Sequence, residues 1–365
     1  MKIMSCVLSF LFSTAIACAG TITVTSLSDS GNGTLRQAIT TAQNGDTIQF
    51  DSMLSGTIAL ASPLPLISVN NLKIEGPSDN SISIDGNSQY RIFNVQVNPF
   101  TVSHLNLNNG ANVQQGGAVF VQSNAYAYLK DVVITPSMGT YGSNALYADP
   151  DGVLDLTDVT FTSSTTSQVY LNAGTMNVTC NSPLEFIVDG VGGGQIMKFG
   201  NASAAISAPM SVATDYYLTV SNGALSFSGE SIESALILAD GELQGSFRLS
   251  DVANLGGLMP GEANTFGTLH FSNDFISVEG ETKIKVDPSG NCDLILVGGD
   301  VYLFSGSLTL IPASGTYPQG TVFTFLTSTG GMNGQFNAVS LGGLDAQVNY
   351  NANSIEIEIL NDSTI

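Results

Sequence analysis

Short apolar runs alternate with turn residues along most of the chain. After Asp46 these runs are rich in β-branched side chains, apolar and polar positions alternate within them, and each ends at Gly, Asn, Pro or Asp. This pattern is typical of short strands with one buried face. Examples are "DTIQF", "GTIALA", "NLKIEG", "SISIDG", "AYLKDVVIT", "GVLDLTDVTFT" and "QVYLNAGTMNVT".

The spacing of the runs indicates a repeat. They recur roughly every 10 to 12 residues, so two or three strands would form a coil of roughly 20 to 25 residues. We predict an all-β fold, a right-handed parallel β-helix, with Asn and Ser side chains stacked in ladders at the corners of successive coils. Immunoglobulin-like domains would also give short strands, but the chain has no Trp and no Cys-Trp-Cys spacing.

One segment, "GTLRQAITTAQNG" at residues 33–45, has a helical period instead. Thr34 and Gln37 form a capping-box pattern, and Asn44-Gly45 supplies a left-handed stop. The end of a β-helix exposes unpaired backbone groups and an open core, so we predict that this short helix covers the N-terminal end. Its expected apolar face consists of Leu35, Ala38, Ile39 and Ala42.

The N-terminus has the layout of a secretory signal: Lys2, an apolar run at residues 3–12, then small residues. The run is shorter than a membrane span requires. Ala15-Ile16-Ala17-Cys18 resembles a bacterial lipobox, which makes Cys18 a candidate lipidation site. We divide the chain into a signal peptide (1–19), an N-terminal cap with the helix (20–45), parallel coils (46–254) and a C-terminal end (255–365).

The composition favours a stacked, non-nucleic-acid-binding protein. Charged residues make up 11% of the chain, and 30 acidic against nine basic residues give a formal net charge of -21. Such a surface repels nucleic acid. Low charge also suits stacked coils, because like charges at that spacing would repel one another.

The N-terminal region resembles a known group. The segments "GTLRQAI", "NGDTIQF", "GTIAL", "LKIEGP", "ISIDG" and "RIFNV" resemble, over residues 21–97, the region shared by polymorphic outer membrane proteins and other exported bacterial β-helix proteins. "GGAVF" at residues 116–120 is similar to a repeat motif of that group. The resemblance implies a β-helix exported to the cell surface, the outer membrane or the medium.

The C-terminal third resembles the end of an autotransporter passenger. The matching segments, between residues 255 and 359, are "GGLMPGEANTFGTLHFSNDF", "NCDLILVGGDVYLFSGSLTLIP", "GTYPQGTVFTFLTSTGGMNGQF" and "VNYNANSIEIEI". The resemblance implies an autochaperone-like last part of the rod, followed by a translocator barrel. Since no barrel sequence follows here, we expect a separate barrel chain, a truncated sequence or another export route.

Acidic residues are the main candidates for catalysis. Glycoside hydrolysis needs two carboxylates on one face, and "DPDGVLDLTD" clusters four acids. Asp155, flanked by two leucines, is expected on the solvent side of a strand, and we interpret the cluster as solvated, with a calcium site or catalysis as alternatives. The four acids are Asp149, Asp151, Asp155 and Asp158.

No other residue pattern supplies chemistry. His104 and His270 are expected to be solvated or satisfied by local partners, and Cys180 and Cys292 to remain unpaired in or near the core. The sequence therefore predicts no catalytic, cofactor-binding or metal-ligating residue. The basic residues, which a lyase would need near calcium, are scattered singly, among them Lys73, Arg91, Lys130 and Lys198.

These observations favour an exported, passenger-like β-helix protein acting in adhesion or host contact without catalysis. Its partner would be a host or surface receptor, either protein or glycan, bound through long faces and the aromatic corners Tyr126–Tyr128 and Tyr216–Tyr217. A carbohydrate-active enzyme, a polysaccharide lyase or glycosidase on the same fold, is the first alternative. A lipid-anchored structural solenoid is the second.

Overall fold

A computed structural model describes residues 19–111, 116–135, 145–162, 168–181, 184–191, 194–207 and 216–365. Cys18 and all of the predicted signal peptide except its last residue lie outside these ranges. The described chain is mostly β-strand with one short helix, and most strands pair in parallel. It has an all-β, solenoid-like fold.

The first half consists of short strands and the helix α1 (Leu35–Thr41). The strands are β1 (Thr21–Val24), β2 (Thr47–Phe50), β3 (Gly56–Ala59), β4 (Leu72–Glu75), β5 (Ile82–Asp85), β6 (Phe93–Val95), β7 (Phe100–Ser103), β8 (Asn106–Asn108), β9 (Val119–Val121), β10 (Tyr126–Lys130), β11 (Val133–Ile134), β12 (Leu146–Ala148), β13 (Val153–Thr157), β14 (Thr160–Phe161), β15 (Val169–Asn172), β16 (Thr175–Thr179), β17 (Leu184–Val191), β18 (Gln195–Phe199) and β19 (Ala204–Ser207).

The second half begins with one long extended segment. Its strands are β20 (Tyr216–Asn254), β21 (Gly257–Pro260), β22 (Thr268–Phe271), β23 (Phe275–Ser277), β24 (Glu281–Val286), β25 (Leu294–Val297), β26 (Val301–Leu303), β27 (Ser307–Pro312), β28 (Thr316–Tyr317), β29 (Val322–Ser328), β30 (Met332–Gly334), β31 (Ala338–Ser340), β32 (Ala346–Tyr350), β33 (Ser354–Ile359) and β34 (Ser363–Thr364).

Three series of parallel pairings run through the first half. One joins β1, β2, β4, β7, β10, β13, β16, β18 and β20 in turn. The second joins β3, β5, β8, β11 and β14, and the third joins β6, β9, β12, β15 and β17. The four coils that begin with β4, β7, β10 and β13 each contribute one strand to each series, and equivalent positions of successive coils lie side by side.

Strict alternation places one apolar stack inside the coils. In β10, Ala127 and Leu129 are fully buried, and the side chains between them face outward. Leu154 and Leu156, their register partners in β13, are also fully buried. Because parallel register repeats this contact in every coil, the buried residues form one continuous core.

The coils vary in length. Leu72 pairs with Phe100, 28 positions further on (from 72 to 100), whereas Thr175 pairs with Gln195, 20 positions further on (from 175 to 195). The early coils are therefore longer than predicted. The extra residues fall between the second and third series, as between the end of β8 at Asn108 and the start of β9.

The predicted helix exists, but its ends differ in detail. Thr34 is the N-cap, and its hydroxyl accepts a hydrogen bond from the backbone N–H of Gln37. The Gln37 side chain accepts from Gly33 N, at 2.7 Å, rather than from the N-cap residue as a capping box requires. The helix ends at Thr41, before Gly45, whose positive φ of 86° serves the following turn instead.

In the sequence, the helix connects two strands that pair with each other. It contacts both β1 and β2, which pair in parallel, so a strand that was not predicted precedes it. The apolar face is buried as predicted; it comprises Leu35, Ala38, Ile39 and Ala42.

Corner asparagines form the predicted ladder in the early coils. The side-chain oxygen of Asn44 accepts from the backbone N–H of Asn70, and the side-chain oxygen of Asn70 accepts from that of Asn98. Each asparagine therefore satisfies a backbone donor of the next coil.

The C-terminal end changes from parallel to antiparallel pairing. Strand β20 pairs in succession with β21, β22 and β23, so the parallel pattern continues past residue 255. At the end, β33 pairs antiparallel with both β29 and β32, and β28 pairs antiparallel with β34.

In the described ranges, no helix has the length and hydropathy needed to cross a membrane.

Candidate functional site

An open groove of about 480 Å³ lies on the outer face of β4, β7 and β10. We call it the Lys73 groove. Its lining is polar and carries both signs of charge, with one aromatic ring. The lining residues are Lys73, Glu75, Gly76, Ser78, Thr101, Ser103, His104, Tyr128 and Lys130.

Parallel register builds the floor of this groove from two rows. The first row runs from Lys73 through Thr101 to Tyr128, and the second from Glu75 through Ser103 to Lys130. Within each strand the two rows are two residues apart, so both lie on the outer side of the sheet, although Ser103 is buried, while the residues between them enter the core. The fold thus joins side chains that are more than fifty positions apart in sequence, as Lys73 and Lys130 are.

The two lysines of the groove are little used by the protein itself. Lys73 makes no hydrogen bond or ion pair with any part of the chain that the structure describes. The Lys130 side chain is 48% exposed, and its Nζ is 4.0 Å from Asp131 Oδ2, the limit of an ion pair. Both ammonium groups can therefore bond a ligand.

The acidic groups around the groove have partners in the chain. His104 Nε2 lies 3.4 Å from Asp131 Oδ2. The Gln49 side-chain amide donates to Glu75 Oε2 at 3.2 Å.

The position of His104 differs from the prediction. His104 was predicted within a strand; it instead occupies the turn after β7, with a φ of 53°.

Two sequence interpretations change at this groove. Lys73 and Lys130 are isolated along the sequence, but the fold places both in one groove.

Tyr126 and Tyr128 lie in a strand rather than at a corner. Their hydroxyls contact the next coil, that of Tyr126 at 2.5 Å from Asp155 Oδ2 and that of Tyr128 at 3.3 Å from the Thr157 hydroxyl. The other predicted aromatic pair lies in β20, where Tyr217 is half exposed and the Tyr216 side chain is outside the described part.

A second open groove, of about 420 Å³, lies further along the chain. We call it the Lys283 groove. Lys283 contacts the carboxylates of Glu242 and Glu281, and Glu281 also accepts from the Thr309 hydroxyl. Burial alone would lower the pKa of Lys283, but the contacts with the two glutamates outweigh it and raise the pKa. This lysine is committed to its own chain.

The four acids singled out in the sequence have separate neighbours. Asp155 faces outward from β13, as predicted, and bonds Tyr126. Asp158 accepts from Asn181, and Asp151 occupies a turn with a φ of 60°. Asp149 lies near Tyr147 and Arg91. Within the described ranges, no group of three or more His, Cys, Asp or Glu side chains is arranged to hold a metal ion.

Stacked aromatic rings cover part of the face formed by the third series. The ring centroids of Phe120 and Tyr147 are 5.0 Å apart, and those of Tyr147 and Tyr170 are 5.4 Å apart. The Arg91 guanidinium lies 4.3 Å from the Phe120 ring centroid, and burial lowers its pKa to about 10. Stacking covers the ring faces that a sugar would use, so this ladder serves packing between coils.

Two other lysines are buried. The Lys285 ammonium is 2.9 Å from Asp293 Oδ2, and Asp293 also accepts from the backbone N–H groups of Gly267 and Lys285. Burial raises the pKa of Asp293 more than these contacts lower it. Lys198 is fully buried and donates to three carbonyl oxygens, of Phe199, Gly200 and Asn222. The sequence signal for its burial is its inward position in the alternation of β18.

The cysteines and the second histidine are buried to different degrees. Cys180 and Cys292 are free thiols, as predicted, one in the core and one packed against it. Burial raises the pKa of the Cys292 thiol to about 11, so it is not an activated nucleophile. His270 was predicted to be solvated or satisfied by local partners, but its Nδ1 is buried without a partner among the described residues.

Comparisons with known proteins add no assignment. No model of a known protein family matches the chain. No curated protein matches its sequence either.

Proposed function

We propose that this chain is an exported, β-helical bacterial protein that acts by binding, in adhesion or host contact, rather than by catalysis. The observation that carries the proposal is the Lys73 groove. It has the ammonium group of Lys73, which has no partner among the described residues, that of Lys130, which is 4.0 Å from Asp131, and hydroxyls and an aromatic ring on one outer face. A parallel solenoid presents such a face over several coils, and this suits an extended ligand.

The handedness of the coils and the roles of the two ends are part of the same proposal. We propose a right-handed β-helix whose N-terminal end is covered by α1, supported by the buried apolar face of the helix and its contacts with β1 and β2. We propose that the C-terminal region acts as a passenger-like end. Its support is the resemblance of residues 255–359 together with the antiparallel pairing of β32 and β33.

Export and anchoring are proposed from the sequence of residues 1–19. The predicted route is cleavage of a signal peptide, with lipidation at Cys18 as the anchored alternative. Metabolic labelling with a fatty acid, in the native chain and in Cys18→Ser, tests the anchor. Label in the native chain alone would support it, and equal label in both would refute it.

A direct test measures binding and turnover together. The full mature chain, fluorescently labelled, is applied to host cells and to immobilised glycans and proteins, while soluble polysaccharides are assayed for cleavage. We expect saturable binding and intact polysaccharides. Absence of binding to every surface, or cleavage by the wild-type chain, would overturn the proposal.

A glycosidase is the second candidate because Glu242 and Glu281 contact the same ammonium and therefore lie close together. Two nearby carboxylates are what glycoside hydrolysis requires. The bound lysine argues against it, since a positive charge at that distance disfavours the protonated form that a general acid needs. Cleavage that disappears in Glu281→Gln but persists in Asp155→Asn would favour this candidate.

A further inference from the structure

In the Lys73 groove the carboxylates accept hydrogen bonds from the chain, whereas the lysine ammonium groups have few partners. Its two nearby carboxylates, Glu75 and Asp131, are bonded by Gln49 and His104, whereas its two lysines are almost unbonded. A ligand entering the groove therefore meets hydrogen-bond donors that are free on Lys73 and Lys130, beside carboxylates that are partly bonded but still charged. This asymmetry occurs on a chain with a net charge of -21.

From this asymmetry we infer that the Lys73 groove binds a glycan that carries carboxylate groups. The inference rests on the proposed binding function and names the class of ligand. Lys73 and Lys130 are two strands apart, roughly 10 Å across the sheet, so they would contact carboxylates on different parts of one chain. Thr101 and Ser103 lie between them in the register; the Thr101 hydroxyl matches the hydroxyl groups of sugars, whereas Ser103 is buried.

The groove is poorly suited to a protein partner. Protein interfaces depend on a central apolar or aromatic anchor that enters a dry pocket. The one tyrosine in the groove, Tyr128, is held by a hydrogen bond from its hydroxyl to Thr157, and none of the large exposed apolar side chains of the described chain lies in this groove. Polar, shallow and open, it resembles a surface for a hydrated ligand.

The distant acidic residues do not prevent such binding. Screening limits charge interactions at physiological salt to about 8 Å, so a carboxylate in the groove responds to Lys73, Lys130 and the adjacent Glu75 rather than to the distant acidic residues. The net negative charge opposes long polyanions such as nucleic acids, which would extend beyond the groove. A short carboxylated segment avoids most of this repulsion.

The test uses the full mature chain and defined oligosaccharides. Calorimetric titration compares hexagalacturonate with its methyl ester, and sialyllactose with lactose, which separates a uronate source from a sialic acid source. Hexaglutamate serves as an acidic peptide. Two matched variants, Lys73→Met and Lys283→Met, remove one lysine from each groove, and circular dichroism confirms their folding.

We expect at least one carboxylated sugar to bind about tenfold or more tightly than its uncharged counterpart, and Lys73→Met to abolish that preference while Lys283→Met retains it. Equal affinity for the uncharged form, no effect of Lys73→Met, tighter binding of hexaglutamate or no binding of any probe would overturn the inference. In each of these cases the proposed function survives if the chain still binds cells. It fails separately if the chain binds no surface.

Discussion

The lysines of β24 and those of β4 and β10 lie on strands of the same parallel fold. They differ in how many carboxylates they contact. On β24, Lys283 contacts two carboxylates and Lys285 is buried against Asp293. Lys73 and Lys130, on the early strands, have almost no bonded partners. The difference lies in the carboxylates within reach, which are Glu281 on β24 itself, Glu242 on β20 and Asp293 in the segment after β24. A charged residue on a sheet therefore does not by itself indicate a binding surface. It indicates one only where its side chain has no partner within the chain and can bond a ligand.

The largest effect on stability is expected at the buried pair. Lys285→Met leaves Asp293 buried without its counter-ion, which should lower the free energy of unfolding by roughly 3 to 5 kcal/mol. Chemical denaturation measures it. The double variant Lys285→Met/Asp293→Asn should recover part of the loss, because a neutral amide costs less to bury. A loss below about 1 kcal/mol would mean that Lys285 is as free as Lys73.

The helix cap provides a change outside the Lys73 groove. Thr34→Ala should cost about 1 kcal/mol, because the Gln37 N–H loses its acceptor. Thr34→Ser keeps the hydroxyl and should be close to wild type in the same denaturation experiment. Glycan affinity should be unchanged in both variants. Weaker binding in Thr34→Ala would show that affinity follows stability rather than the groove lysines.

A smaller effect is expected in the Lys283 groove. Lys283→Met should cost about 1 kcal/mol or less at neutral pH, as expected for a partly exposed ion pair. The folded-state pKa of Lys283 is raised above 10.5, so its contribution is complete below that value and is lost as the pH rises through the folded-state pKa. The stability difference between wild type and Lys283→Met should therefore shrink in strongly alkaline solution. A difference that grows with pH would contradict the assignment.

The smallest effect on stability is expected at the free lysine. Lys73→Met removes no hydrogen bond or ion pair within the described chain, so its unfolding free energy should stay within about 0.5 kcal/mol of wild type. Thermal and chemical denaturation both test this. A clearly larger loss would place Lys73 among the structural lysines and remove the contrast with Lys283.

Local sequence patterns predicted the parts of this fold that depend on local chemistry. The alternation in β10 and β13 indicated which side chains enter the core, and Thr34 indicated where the helix begins. The corner asparagines were expected to stack because coils repeat, and Asn44 and Asn70 do so. These features need only the chain's own period and propensities.

The candidate site depended on register, which local patterns do not specify. Lys73 and Lys130 meet because two intervening coils have lengths of 28 and 27 positions (from 72 to 100 and from 100 to 127), a value that the turn spacing underestimated. A slip of one residue in the pairing of β10 with β7 would move Lys130 to the other face. The same argument explains why the clustered acids of residues 149–158 acquired separate partners in neighbouring coils.

Amine acylation followed by mass spectrometry tests the central contrast most directly. Brief exposure of the folded chain to an amine-reactive ester, with and without hexagalacturonate or sialyllactose, gives a modification rate for each lysine. We predict that Lys73 and Lys130 react first and are protected by the bound glycan, while Lys283 and Lys285 react slowly in both conditions. Equal rates at Lys73 and Lys283, or glycan protection absent from Lys73, would contradict the account.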